Sequence, residues 1–307
     1  MSSETGGALL ALSNDLAGAV ERAARSVVAV HARQRVPSSG VHWREGVIVT
    51  AAHTIKRDEE ITVTLPDGGS APAVLAGFDP GTDLAVLKAS GIALPVAETA
   101  DVATLRVGHL VLAVARPGDE GPSASLGVIS ALGGPWRTWR GGHVDQYVRP
   151  DLALYPGFSG GPLIDTEGRV LGINTSGLSR IGGLVIPAAT INRVASVLLE
   201  KGRVTRGYLG VSMQPVRLPD ALRNKLGLTH GTGVIVLSVE PDGPAGRAGM
   251  LVGDIITALG DQPVADTDDV QAALGPESVG RELKASVVRG GEAAELVITV
   301  GERPGRS

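Results

Sequence analysis

Ser159 stands in YPGFSGGPLID, residues 155 to 165, with Gly157 on one side and Gly160 and Gly161 on the other. A serine hydroxyl is a poor nucleophile at neutral pH; it needs a base within hydrogen-bond reach and a third group to orient that base. Crowded glycines weaken helix and strand alike, so the stretch reads either as a tight turn or as a nucleophile loop that leaves room for a substrate backbone. Among six histidines, His53 alone ends an apolar run, in VIVTAAHTI, directly after small residues that keep a cleft open. His31 alternates within a strand-like run and His109 begins one; these and the remaining histidines read as surface or internally bonded groups. For the orienting acid, Asp83 in FDPGTDLAVLK opens an apolar strand after a turn, where a carboxylate is partly buried and held still. Asp58, Asp67 and Asp79 lie in polar turns and are expected to be solvated. The chain order His53, Asp83, Ser159 is one of the known triad orders.

Such residues must be positioned by a scaffold. A length of 307 residues suggests about two domains. A hydrophobic share of 43% supplies a core, and 43 glycines and 19 prolines between Val/Ile runs point to β structure with many turns. Strands are expected in SVVAVHARQ, GVIVTAA, EITVTLPDGG, DLAVLKA, HLVLAVARPGD, SLGVISALGG, HVDQYVRPD, RVLGINTS and GGLVIP. Turn signals roughly every ten residues suggest a sandwich or barrel. In LSNDLAGAVERAAR, Leu12, Leu16, Val20 and Ala24 share a helical face, with Ser13 or Asn14 as cap. TINRVASVLLEKG places Ile191, Val194, Val197 and Leu198 on a second such face, stopped by Gly202. The expected division is a flexible N-terminus (1–12), a first domain (13–202), a linker (203–206) and a small mixed domain of strands and two helices (207–303).

A net charge of −4 offers no broad basic face for nucleic acid, and the arginines near Trp136 and Trp139 read as a solvated loop. With no cysteine, disulfides, thiolate catalysis and cysteine-based zinc sites are excluded. DTDD has too few oxygen ligands around it for calcium, so neither metal nor cofactor is expected. The opening MSSETGGALLALSNDLAG lacks a basic n-region, and no apolar run approaches the ~18 residues of a membrane span. As it stands the sequence reads as cytoplasmic, or extracytoplasmic if a leader was removed.

VIVTAAHTI, DPGTDLAVLK and GFSGGPL, with LGINTS and LVIP behind them, resemble the trypsin-like proteases of the HtrA (Deg) family. YLGVSMQPV and VEPDGPAGRAGMLVGDIITALGDQPV look like the PDZ domain that follows the protease there. The resemblance implies a mainly β fold: a trypsin-like double β-barrel followed by a small α+β PDZ domain. It implies a His53–Asp83–Ser159 triad working through an acyl-enzyme, and an oxyanion hole from the N–H groups of Gly157 and Ser159. The substrate pocket would be lined by Leu154, Tyr155 and INTSG, hence Asn174, Thr175, Ser176 and Gly177; with no carboxylate there, a small or medium apolar P1 residue is expected. In the second domain, Tyr208, Leu209, Gly210 and Val211 match the carboxylate-binding loop for C-terminal peptides, with Val270, Ala273 and Leu274 on the facing helix. Polypeptides are the implied substrates, in unfolded or misfolded segments; the competing reading is a PDZ-bearing adaptor or chaperone with a locked protease.

Three positions depart from the family pattern. Phe158 stands where relatives have Asn, or Asp in digestive enzymes; it cannot pair with a new N-terminus, and is placed to pack under the loop. Residues 1 to 40 lack Phe, Tyr and Trp, the residue types that clamp family trimers, so a homo-oligomer is compatible with the resemblance but a trimer is in doubt. GGPWRTWRGG replaces a loop that helps sense regulators in the family.

Overall fold

In a computed structural model, residues 2–118, 120–179, 182–228 and 230–302 are described; Met1 and residue 303, the outer ends of the expected division, lie outside them. The chain divides into two units, Met1–Val204 and Thr205–Ser307. Among the described residues no helix is long and apolar enough to cross a membrane.

The first unit holds two closed barrels. β1 (Val27–His31), β2 (Ser38–Arg44), β3 (Val47–Ala51), β4 (Ile61–Thr64), β5 (Ser70–Asp79) and β6 (Leu84–Ala89) close in the order β1-β2-β3-β6-β5-β4. β7 (Leu110–Ala115) and β8 (Ser123–Gly133) are followed by a two-stranded hairpin, β9 (Trp136–Arg137) and β10 (His143–Val144). β11 (Tyr147–Asp151), β12 (Pro162–Ile164), β13 (Val170–Thr175) and β14 (Leu184–Pro187) complete the second barrel, in the order β11-β14-β13-β12-β7-β8.

The period-two geometry of strands explains the run of apolar residues in β3. Ile48 points into the first barrel with Val28, Val30 and Leu87. Val47 and Val49 face the opposite way, into a cluster shared with Leu112, Val114, Ile164 and Ile173 of the second barrel. Both faces are therefore dry, and the sequence reads as continuous rather than alternating. The second barrel encloses Val111, Ala113, Ile129, Leu163, Leu171 and Val185.

Two helices cover the shared cluster. α2 (Ala188–Lys201) buries Ile191, Val194 and Leu198, and Gly202 ends it in the left-handed conformation with its N–H on Leu198 O. α1 spans Ser2–Ala24, so residues 2–12, expected to be flexible, are helical, and neither Ser13 nor Asn14 caps its start. Ala8, Leu9, Leu10, Ala11 and Leu12 are strong helix formers and carry the helix backward, although Leu9 and Leu10 remain exposed. Ala19, Ala23 and Ala24 are its buried face.

The second unit is an antiparallel sheet with strands in the order Val211–Arg217, Thr232–Val239, Ile255–Leu259, Glu282–Arg289 and Glu292–Thr299. The short strand Gln262–Pro263 pairs with the third. Helices Asp220–Leu226, Pro244–Arg247 and Thr267–Ala273 accompany it. Its separate core includes Leu209, Val234, Val236, Ile256, Val270, Val287 and Ile298.

Candidate active site

β3 ends at Ala51, and the chain turns through a single 3-10 turn, Ala52–Thr54, that carries His53. β5 ends at Asp79, and the turn 80–83 delivers Asp83 to the start of β6. Asp83 adopts φ 58°, in the left-handed region, which aspartate enters more readily than most residues. Its carbonyl accepts from the Ala52 N–H at 2.9 Å, which ties the two turns together.

Asp83 is buried, and its carboxylate is fully engaged. Oδ1 accepts the His53 backbone N–H at 2.8 Å and Oδ2 meets His53 Nδ1 at 2.7 Å. Thr175 Oγ1–H also donates to Oδ2. The geometry places the imidazole proton on Nδ1 and leaves Nε2 as the acceptor. Gly177 lies against this pair: a Cβ there would stand 2.7 Å from both Asp83 Oδ2 and His53 Nδ1.

Ser159 faces the same cleft. Its Oγ lies 3.2 Å from Ser176 Oγ and accepts from the Ser176 N–H at 3.4 Å; among the described residues it makes no hydrogen bond to His53. The loop around it is tied down through three amides. Phe158 N–H donates to Tyr155 O at 3.0 Å, Gly160 N–H to Asn174 O at 2.9 Å and Gly161 N–H to Phe158 O at 3.0 Å. Among the described residues, the N–H groups of Gly157 and Ser159 donate to no protein group. Gly157 has φ 94°, and a Cβ on it would press on Pro117 at 2.7 Å. Gly160 has φ 89°, and a Cβ on it would collide with Ser39 O and Thr50 Oγ1. These glycines are demanded by backbone conformation and by close approach.

Ser39 on β2 anchors the loop from the first barrel. Its hydroxyl donates to Gly157 O at 2.8 Å and accepts the Arg116 N–H at 2.8 Å, while its own N–H donates to Ser159 O at 3.2 Å. Sequence reasoning missed both β2 and Ser39, because Pro-Ser-Ser-Gly carries turn signals. Gly40 belongs in the strand for a packing reason: a Cβ there would meet Ile48 and Val30 side chains at 2.7 and 2.9 Å. Phe158 is buried in the second-barrel core and stacks edge-on with Tyr155, ring centroids 5.6 Å apart, so it packs under the loop.

The cleft, of about 390 Å³, is lined by His53, Ser159, Ser176, Leu154 and Tyr155, together with Pro156 and Gly157 and the segment Arg33–Val36, which sequence reasoning did not single out. Among the described residues, no carboxylate lines it. Three expected pocket residues are not in the lining: Gly177, which lies against the His53–Asp83 pair, and two buried strand residues. Asn174 is fully buried, with its Nδ2 donating to Gly161 O at 3.1 Å; Thr175 is fully buried and serves Asp83. Asn174 and Thr175 point to opposite faces of β13, both of which are buried, while Ser176, past the strand end, reaches the cleft. Asp79, expected in solvent, is buried, and its carboxylate accepts from the N–H groups of Gly81 and Thr82 and the Thr82 hydroxyl. Trp136 is half-buried against Tyr147, whereas Trp139 is exposed with the Arg140 guanidinium 4.4 Å from its ring centroid.

In the second unit, two expected groove residues are core instead. Leu209 and Val270 are 2% and 0% exposed; helical spacing turns Val270 inward on the Thr267–Ala273 helix. Ala273 and Leu274 are half-buried at the edge of that core, and Tyr208 and Val211 are half-buried. Gly210 adopts φ 78° beside Gly243. The strand Val211–Arg217 forms the edge of the sheet, with the same helix beside it.

Two closed six-stranded barrels with this cleft between them define the trypsin-like class. A model of the trypsin-like peptidase domain matches residues 38–173, and one of the PDZ domain matches 207–300. An HtrA-type protease, AlgW, solved with a decapeptide, superimposes with a TM-score of 0.75 at 31% identity, over 95% of this chain and 99% of that one. A serine endoprotease from Yersinia pestis superimposes at 0.73 and 32% identity, over 93% and 97%. The chain belongs to the HtrA family of trypsin-like proteases and carries one PDZ domain. It is 35% identical over 276 residues to a probable periplasmic serine endoprotease DegP-like of Pseudomonas putida (strain W619), and 37% identical over 282 residues to one of Brucella suis biovar 1. These matches take in 88% and 89% of this chain but 57% and 54% of those relatives. Their periplasmic designation overturns the cytoplasmic expectation drawn from the first residues.

Proposed function

We propose that this chain is a serine endopeptidase that cleaves unfolded polypeptide through an acyl-enzyme, and that it works outside the cytoplasm as its relatives are named to do. The observation that carries the reading is the bonded His53–Asp83 pair sharing one cleft with Ser159, whose loop presents two unengaged N–H groups. Rotation of the Ser159 side chain away from Ser176 brings Oγ toward His53 Nε2; catalytic bonds are often long in the free enzyme and tighten with substrate. His53 takes the proton as Oγ attacks the scissile carbonyl and returns it to the leaving amine. Asp83 holds the tautomer and stabilises the imidazolium. The Gly157 and Ser159 N–H groups receive the oxyanion, each such donor being worth roughly 3 kcal/mol in the transition state. A cleft bordered by Leu154, Tyr155 and Pro156, without a carboxylate, suits an apolar P1 side chain.

The second unit is read as a receptor for C-terminal peptides. Its open edge strand, Val211–Arg217, suits strand addition, and the Tyr208–Val211 segment at its start supplies backbone N–H groups for the terminal carboxylate. Peptide capture there regulates the protease.

The test is cleavage of unfolded casein by the natural chain and by Ser159→Ala, with cut sites read by mass spectrometry. The expected result is cleavage after Val, Ala or Leu by the first and none by the second. Retained cleavage by Ser159→Ala would sink the nucleophile assignment, and inactivity of both would favour a locked protease serving as an adaptor.

A further inference from the structure

The Asp79–Asp83 turn is gripped from two sides. From within, the Asp79 carboxylate accepts from the Gly81 N–H at 3.0 Å, the Thr82 N–H at 3.1 Å and the Thr82 hydroxyl at 2.7 Å. From outside, the grip comes from the other barrel. The hairpin β9–β10 between β8 and β11 sets its tip, Thr138–Gly142, on the turn. Thr138 is 1% exposed, and its hydroxyl donates to Gly81 O at 2.7 Å while accepting the Gly142 N–H at 3.1 Å. The tip is closed by Thr138 N–H on Gly142 O and Gly141 N–H on Thr138 O, at 2.9 and 2.8 Å. Gly142 lies so near the turn that a Cβ would collide with the Gly81 carbonyl and stand 2.7 Å from Thr82 N.

The residue after this doubly held dipeptide is Asp83, a non-glycine residue with positive φ. Such a conformation persists where the surroundings over-determine it. Both Asp83 carboxylate oxygens must meet two separate hydrogens of His53, so a small rotation of the turn misaligns both bonds. We propose that Thr138 and Gly142 are positioning residues for the catalytic acid: the second-barrel hairpin clamps the first-barrel turn that aims Asp83 at His53. The proposal rests on reading Asp83 as the triad acid.

The experiment compares the full chain with Thr138→Val, Thr138→Ser and Gly142→Ala, using a quenched-fluorescence peptide built from a casein cut site. Thr138→Val keeps the shape and removes the hydroxyl. Its kcat is expected to fall roughly 10- to 100-fold. KM stays within about twofold, as expected of an interaction that serves the transition state alone. Thr138→Ser restores the rate, and Gly142→Ala reproduces the loss. Where Thr138→Val does not fold by circular dichroism, Thr138→Ala removes the same hydroxyl without adding atoms. A second readout is independent of turnover: the proton resonance of His53 Nδ1–H, in histidine-labelled protein, shifts upfield or broadens in the Val and Gly142→Ala variants and recovers in the Ser variant. Folded Val and Ala variants with unchanged kcat and an unchanged resonance would overturn the proposal, as would a change confined to KM. An inactive natural chain would count against the peptidase reading alone, since the resonance comparison would still decide whether the hairpin orients Asp83.

Discussion

Replacing Asp83 by Asn exchanges one carboxylate oxygen for an NH2 group and tests the hydrogen-bond logic of the site. The carboxylate accepts three hydrogens: the His53 backbone N–H at 2.8 Å, the His53 Nδ1–H at 2.7 Å, and the Thr175 hydroxyl. An amide has one accepting oxygen and one donating NH2. If the oxygen keeps the backbone N–H, the NH2 faces His53 Nδ1, which must then accept. The ring proton moves to Nε2, the face turned toward Ser159, and no base remains. If the amide flips, its NH2 meets the backbone N–H, and an unsatisfied buried donor costs about 1–3 kcal/mol. The first arrangement is therefore favoured. Loss of the correct tautomer costs about 10⁴ in kcat, or about 5.5 kcal/mol at 1.36 kcal/mol per factor of ten. The assay is peptide hydrolysis at saturating substrate, with circular dichroism to establish that the variant is folded. A folded Asn variant within tenfold of the natural rate would refute the assignment of the proton to Nδ1.

Thr175→Val leaves the buried Asp83 short of one donor and strips the Gly177 N–H of its acceptor at 2.9 Å; urea unfolding should show a loss of roughly 1–3 kcal/mol, and an unchanged midpoint would contradict the contact. Gly160→Ala, at φ 89° and against Ser39 O, should cost about 3 kcal/mol or more and abolish turnover, so a variant with natural melting temperature and rate would show that the nucleophile loop tolerates a side chain. Ending the chain after Arg206 should leave a cooperatively melting first unit, whose core closes with Val204, and should alter rates or cut sites; identical cleavage with and without the second unit would argue against peptide regulation. Asp254 supplies a pH test. Burial pushes its carboxyl upward, but the two Arg289 hydrogen bonds at 2.8 and 2.7 Å, the Leu251 N–H at 2.8 Å and the Arg289 charge outweigh this and hold it below the ordinary carboxylate range. A depressed folded-state value gives stability that is present above the unfolded value of about 3.9 and lost as pH falls through the folded one. The second unit should therefore lose this increment on acidification below about pH 4, and Asp254→Asn should be less stable at pH 7 with a flatter acid limb in thermal melts.

The sequence by itself determined a mainly β fold of many short strands and the residue types that meet in the cleft, while the double barrel was legible only through the family resemblance. Short apolar runs between turn residues mark the strands of a sandwich or a barrel alike, and helical faces such as Ile191, Val194 and Leu198 follow a period that needs no partner to be seen. His53, Asp83 and Ser159 stood out because each occupies an abrupt chain reversal where an apolar run begins or ends. What a side chain touches was decided only by tertiary structure. Asn174 and Thr175 look like pocket residues in INTSG, but both faces of their strand are buried, and one is held by Gly161 while the other serves Asp83. Asp79 reads as a solvated turn residue and is a buried cap; Val270 reads as a groove wall and is core. Ser39 and Thr138 gave no signal, since each works across the two barrels through a partner more than 50 residues distant, Gly157 for the first and Gly81 for the second. Local pattern reports a residue's conformation and its exposed or buried face, whereas such bonds exist only once both barrels have closed and their surfaces meet.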